Sequence, residues 1–235
     1  MAEDPSTEEH LLRGTLAHAF FEAIGRGMDA EKAKLLVMEA FERIQDVPQW
    51  QLRFKLDEFS ALLDRAREWA RQSEVNQELV GVEIPVGVHV GEGVRIGGYM
   101  DRLLRDEEGN YLVVDLKTGK NQPAKKEAED HVQLMTYQLA LAHGAFDGHQ
   151  VHDGEGIPRQ GGVLVYPGAT TKKIGEIWQS DKSPEALEEF AALLPPLVEE
   201  MRGPRITART NKDCDKCPIR SICPVQEEGR MTTDA

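Results

Sequence analysis

Apolar and polar positions along the chain follow two rhythms, and the change between them divides the sequence. Leu11, Leu12, Leu16, Phe20 and Ile24 recur at mostly four-residue intervals before Gly25 and Gly27 interrupt the run, which predicts one helix. In PSTEE, Ser6 and Glu9 fit a capping box that opens it. Asp29 suits the N-cap of a second helix reaching about Ile44, and Leu52, Leu56, Phe59, Leu62, Leu63 and Trp69 carry the helical period from Trp50 to Gln72. The period then shortens to two. Leu79 to Val90, Val94 to Arg105 and Tyr111 to Lys117 read as strands of an antiparallel meander, separated by the turn sequences GEG and DEEGN. Helix returns over Lys125 to Gly144. Gly161 to Pro167 reads as a short buried strand with Lys172 to Trp178 as its neighbour, and a last helix spans about Ser183 to Met201, where Pro195 and Pro196 are expected to bend or break it.

This order predicts an α/β fold: a mixed central sheet, made of the meander and two further strands, flanked by helices, with an added N-terminal helical layer. At 235 residues without a low-complexity linker, the chain is expected to form one domain over residues 1–203, with residues 204–235 as a cysteine-rich segment packed on it. The composition, 40% hydrophobic and 29% charged, is that of a globular protein. No apolar run approaches the roughly 18 residues of a membrane span, and the N-terminus lacks an apolar signal core, so a cytoplasmic protein with no membrane partner is expected.

Net charge is −13, from 41 acids and 28 bases, which argues against long-range attraction to a polyanion. Basic strips soften that: six bases face two acids between Arg202 and Arg220, and Lys117 to Lys126 holds four lysines and no acid. Charge therefore permits a nucleic-acid partner without predicting one.

The stretch VVDLKTGK carries the chemistry. In an extended chain Asp115 and Lys117 project from one side, while Val114 and Leu116 point to the other. One reading is a surface ion pair worth roughly 0 to 1 kcal/mol. The other is a metal site, with the carboxylate holding a hard cation and the lysine polarising water. Asp101, in GGYMDRLL on the preceding strand, favours the second, because two carboxylates brought close repel unless a cation lies between them.

Four pieces in order, GTLAH (Gly14 to His18), GGYMDR (Gly97 to Arg102), VDLKTG (Val114 to Gly119) and QLMTYQLAL (Gln133 to Leu141), resemble the motifs of the RecB-like exonuclease branch of the PD-(D/E)xK nuclease superfamily. The resemblance implies a restriction-endonuclease-like core and a deoxyribonuclease dependent on Mg²⁺ or Mn²⁺. It implies His18, Asp101, Asp115 and the Leu116 carbonyl as metal ligands, Lys117 as the residue that orients the attacking water, and Gln133 and Tyr137 as catalytic groups closing the site against the DNA strand. Glu83, in VGVEIPV, matches an acid found upstream of the first catalytic aspartate. DNA, as single strands or ends, and a helicase in the same longer protein or complex are the implied partners, in double-strand break processing.

All three cysteines lie in CDKCPIRSIC, from Cys214 to Cys223. The odd count excludes a closed disulfide framework, and the clustering points to a metal. Iron–sulfur nucleases of the resembled branch add a cysteine upstream of the histidine helix, completing a 4Fe–4S cluster. Met1 to Leu12 has none, so the expectation is an excised domain, a degenerated cluster or a non-cysteine ligand, with Zn²⁺ or reduced thiols as the other reading of Cys214, Cys217 and Cys223. The ending CPVQEEGRM resembles the nuclease domain of actinobacterial helicase–nuclease subunits of the AdnB type. Two rival readings stand beside the nuclease: a non-catalytic DNA-binding or iron–sulfur structural module of a repair complex, and a small-molecule phosphohydrolase using the same metal site.

Overall fold

The computed structural model describes residues 5–91, 93–122, 124–143, 159–169, 173–204 and 207–227. Three helices come first, α1 (Pro5–Gly25), α2 (Ala30–Arg43) and α3 (Gln49–Ser73). Asp29 caps α2, its carboxylate accepting a 2.9 Å hydrogen bond from the Lys32 amide. The expected capping box of α1 involves Ser6, whose side chain lies outside the described residues. Strands β1 (Gln77–His89), β2 (Arg95–Asp106) and β3 (Tyr111–Leu116) follow, then α4 (Lys125–Glu129), α5 (Val132–Ala142), β4 (Arg159–Tyr166), β5 (Gly175–Gln179) and α6 (Pro184–Arg202). The strands form one sheet in chain order, with β3 and β4 parallel and the other neighbours antiparallel. The expected α/β architecture is the one observed.

Both faces of the sheet are covered, and β3 shows why its sequence reads as it does. All six of its residues are buried. Leu112, Val114 and Leu116 pack with Phe20, Phe41, Phe59 and Leu63 of the three-helix layer. Tyr111 and Val113 pack with Leu134, Tyr137 and Leu141 of α5 on the opposite face. A strand buried on both sides cannot alternate apolar with polar, so the single acid in YLVVDL stands in an otherwise apolar run.

The chain divides into two compact units, Met1–Ala191 and Ala192–Ala235. In the second, 3-10 turns at Cys214–Lys216 and Arg220–Ile222 carry the cysteines, and Arg209 grips both carboxylate oxygens of Glu200 at 2.6 and 2.8 Å. Pro195 and Pro196 do not interrupt α6. Half of this helix is solvent-facing, so the carbonyls that lose a donor to each proline are open to water.

The predicted helix over Lys125 to Gly144 is broken at Asp130–His131, and Gly144 itself lies outside the described residues. The cause comes from β5. Gln179, fully buried, donates from Nε2 to the carbonyls of Ala128 (2.9 Å), Glu129 (3.1 Å) and His131 (3.2 Å), satisfying groups that a continuous helix would have satisfied itself. Gln138, also buried, donates in turn to Gln179 Oε1 at 2.9 Å and accepts from the Lys182 amide. Replacing Gln179 by Leu is expected to cost about 2–4 kcal/mol, since it removes the bonds from Gln179 Nε2 to three backbone carbonyls and takes from the buried Gln138 amide its acceptor at Gln179 Oε1. Urea denaturation checks this, a loss under about 0.5 kcal/mol being the contrary result.

Candidate active site

The site lies where β2 parts from β3. Pairing between these strands runs only from Arg102↔Val114 to Arg105↔Tyr111, whereas β2 continues toward Arg95 bonded to β1 alone. At the fork the Leu116 amide has no β2 carbonyl to meet. Asp101 supplies the acceptor instead: its Oδ2 takes the Leu116 N–H at 2.6 Å, and its Oδ1 lies 3.2 Å from His18 Nδ1 on α1. The carboxylate thus ties the last residue of β3 to the helical layer.

Alternation also fails here on β1. Val82 lies beside Gly25 of α1, yet Ile84, two residues on, belongs to the opposite core with α5. Between them Glu83 has φ +48°, alone among the described non-glycine residues in the left-handed region. The adjoining pairs are Val82↔Arg102 and Ile84↔Met100, so Glu83 falls opposite Asp101. A left-handed glutamate costs on the order of 1 kcal/mol or more and persists only where its surroundings enforce it. The effect is to carry its carboxylate to the other acid: ligand atoms of His18, Glu83 and Asp101 all lie within 4.8 Å of one another.

A second row of groups runs from β3 to α5. Lys117 Nζ sits 2.7 Å from Asp115 Oδ2 and donates to Gln133 Oε1 at 2.7 Å. Gln133 Nε2 donates to Tyr137 Oη at 2.9 Å, and the Tyr137 hydroxyl donates to the Tyr99 carbonyl at 2.6 Å, next to the Asp101 strand segment. Gln133 and Tyr137 are one turn apart on α5 and share a face. Their chain of bonds fixes the lysine, which would otherwise sample many rotamers.

Charge accumulates in this small volume. Burial, then the neighbouring Asp101 carboxylate, pushes Asp115 up to about 6 despite Lys117. Glu83 is raised by burial and by Asp101. Burial disfavours the His18 imidazolium, but Asp101, with Asp115 and Glu83 behind it, more than offsets this and raises its pKa. Burial, opposed by the Gln133 hydrogen bond but reinforced by the acids, holds the Tyr137 phenol up at about 12.

The structure therefore brings together His18, Asp101, Asp115, Lys117, Gln133 and Tyr137, and gives Leu116 a place through its amide. Asp115 stands outside the close His18, Glu83 and Asp101 group. Cys214, Cys217 and Cys223 line one cavity of about 410 Å³ in the second unit. Sequence reasoning missed His131. It precedes α5, its Nδ1 is buried without a hydrogen-bond partner among the described residues, and burial together with Lys117 lowers its pKa. Nothing in the pattern of its neighbours would have marked it.

One imidazole and two carboxylates form a donor set suited to Mg²⁺ or Mn²⁺. Asp115, buried beside this group with its Oδ2 2.7 Å from the Lys117 ammonium, adds a further carboxylate. The residues present fit a hard divalent cation. A sign follows for pH. The folded protein without metal holds the Asp115 proton more tightly than the unfolded chain does, so this group weakens folding as pH rises from about 4 to about 6. Replacing Asp115 by Asn is expected to raise the melting temperature of the metal-free protein more at pH 7 than at pH 4.5, and the stabilisation conferred by Mn²⁺ on the unaltered protein is expected to grow over the same interval. Calorimetric scans at the two pH values measure both, and a pH-independent gain would contradict the sign.

No curated protein matches the chain. A solved structure titled "Crystal structure of SSO0001" is similar over 90% of this chain and 85% of that one, at 18% identity and a TM-score of 0.41. The family model described as the PD-(D/E)XK nuclease superfamily matches residues 1–224, a span that takes in the forked strands, the acids, Lys117 and the cysteine segment. The chain belongs to the PD-(D/E)XK nuclease superfamily.

Proposed function

We propose that this metal-dependent nuclease is a deoxyribonuclease of the RecB-like kind, degrading DNA from ends during double-strand break repair in the cytoplasm, as a module of a helicase or beside one. The observation that carries the reading is the convergence of His18, Glu83 and Asp101 next to the Asp115 and Lys117 pair at the strand fork. Among the described residues no helix is long and apolar enough to cross a membrane.

A bound Mg²⁺ or Mn²⁺ would neutralise charge on the phosphoryl oxygens and lower the pKa of a nearby water. His18, Glu83 and Asp101 would hold it, with Asp115 and the Leu116 carbonyl beside them. Lys117, fixed between Asp115 and Gln133, presents an ammonium that positions the attacking water and offsets charge developing on the phosphate. Held by Asp115 and Gln133, it acts through position and charge and not as a base. Gln133 and Tyr137 keep that ammonium in place, and Tyr137, its phenol held at about 12, stays neutral as a hydrogen-bonding group. The non-catalytic alternative is disfavoured because Asp101, Asp115 and Lys117 are all present and placed together.

In the second unit, Cys214, Cys217 and Cys223 supply three thiolates to one cavity, where the Asn211 amide donates to Cys214 Sγ at 3.1 Å. Three sulfurs are one ligand short of either a 4Fe–4S cluster or tetrahedral zinc, so the fourth ligand of either would come from elsewhere. Iron, sulfide and zinc analysis after anaerobic purification decides between them.

Asp115→Asn and Lys117→Ala are each expected to lower the rate of Mn²⁺-dependent cleavage of end-labelled DNA by about 100-fold or more while preserving the fold. Lys117→Ala should keep the stabilisation by Mn²⁺, which Asp115→Asn should diminish. Near wild-type cleavage by either purified variant contradicts the assignment.

A further inference from the structure

Beside the site, α1, the first turns of α3 and the chain leaving β3 enclose a groove of about 600 Å³. Two observations single it out. Trp50 and Phe54 line it and are 73% and 66% exposed. They stand four residues apart on α3, so both rings lie on one face. A tryptophan is usually among the more buried side chains, and neither ring contributes to a core here. Arg13 enters the same groove with its side chain only 11% exposed. Its buried Nε has no hydrogen-bond partner among the described residues, and its Nη1 lies 4.0 Å from Glu58, too far for a hydrogen bond. The groove therefore presents two open aromatic faces beside a largely buried guanidinium that forms no close ion pair among the described residues.

Two separate elements connect the groove to the fork. Arg13 lies in the groove and His18 at the site on the same helix, five residues or about 7.5 Å along its axis. Lys117 is at the site, and Thr118 and Lys120, next along the chain, line the groove. The lysines in the groove are already matched, Lys55 with Glu9 and Lys120 with Glu58. Together with a net charge of −13, this leaves little long-range attraction for a polyanion. Short-range stacking is the interaction that such a surface offers.

We propose that the groove binds single-stranded DNA on its way to the strand fork, with nucleobases stacked on Trp50 and Phe54 and a phosphate held by Arg13. The proposal rests on the nuclease reading and adds the surface that would select an unpaired strand. In a duplex the base faces are covered by their neighbours, so two exposed rings can engage only unpaired bases.

The test is fluorescence anisotropy of a labelled oligothymidylate and of a blunt duplex, with the full chain and no divalent metal, so that neither is cut. Trp50→Ala and Phe54→Ala are each expected to weaken single-strand binding by about tenfold. Trp50→Phe should recover most of the loss, duplex binding should barely change, and Trp178→Ala, an exposed ring outside the groove, should have no effect. Unchanged melting temperatures show that the variants fold. A double variant that binds the single strand within twofold of the parent overturns the groove while leaving the nuclease reading in place, and an equal loss for single strand and duplex overturns stacking on unpaired bases. A parent chain that binds neither DNA overturns this proposal, while the nuclease reading stands or falls on the Mn²⁺-dependent cleavage assay.

Discussion

The hydrogen bond from the Leu116 amide to Asp101 Oδ2 is the contact on which the site depends. A sheet that forks leaves a backbone donor without its ladder partner, and a buried N–H without an acceptor is costly. Here a carboxylate completes the ladder. The same carboxylate reaches His18 with its other oxygen, so one residue closes the sheet, orients a helix and places a negative charge. Glu83 must then approach a charge of its own sign, and it does so through a left-handed backbone. Strain, burial and like-charge repulsion all meet at one end of β2 and β3, where a cation would relieve the repulsion.

Support for this arrangement is distributed. The row from Lys117 through Gln133 and Tyr137 to the Tyr99 carbonyl spans the fork from the α5 side. α5 is held in register by Gln179 and Gln138, two buried amides that stop α4 and seat the next helix. Arg102 plays a comparable part on the other face: it is fully buried, pairs with Glu74 at 2.7 Å and lies 4.4 Å over the Phe21 ring, locking β2 to α1 one residue from Asp101. Among the described residues few polar groups are buried, and several of them lead to the site.

The layered fold was legible because helix and strand periods differ and few residues obscure them. The Asp29 cap, the alternation of most of β1 and the later part of the α1 stripe, where Phe20 is buried and Leu16 and Ile24 pack on the core, are local signals that tertiary packing reinforced, whereas Leu11 and Leu12 stay exposed. Asp101, Asp115 and Lys117 could be read as one cluster because strand register follows from turn length. The break at Asp130–His131 could not, since its cause, Gln179, lies almost 50 residues along the chain. Nor could the backbone of Glu83, because glutamate carries no preference for the left-handed region. Continuity of α6 through Pro195 and Pro196 was hidden for a related reason: local propensity argues against it, and solvent exposure of the freed carbonyls permits it.

The central claim is that His18, Glu83 and Asp101 jointly hold a divalent cation. Isothermal titration of the metal-free chain with Mn²⁺ at pH 7.5, compared with His18→Ala, tests it most directly. The account predicts one or more sites in the parent chain and an affinity at least tenfold weaker in the variant, with the fold retained. Equal Mn²⁺ affinity in the two proteins, with any change confined to stability, would make His18 a packing residue and contradict the account.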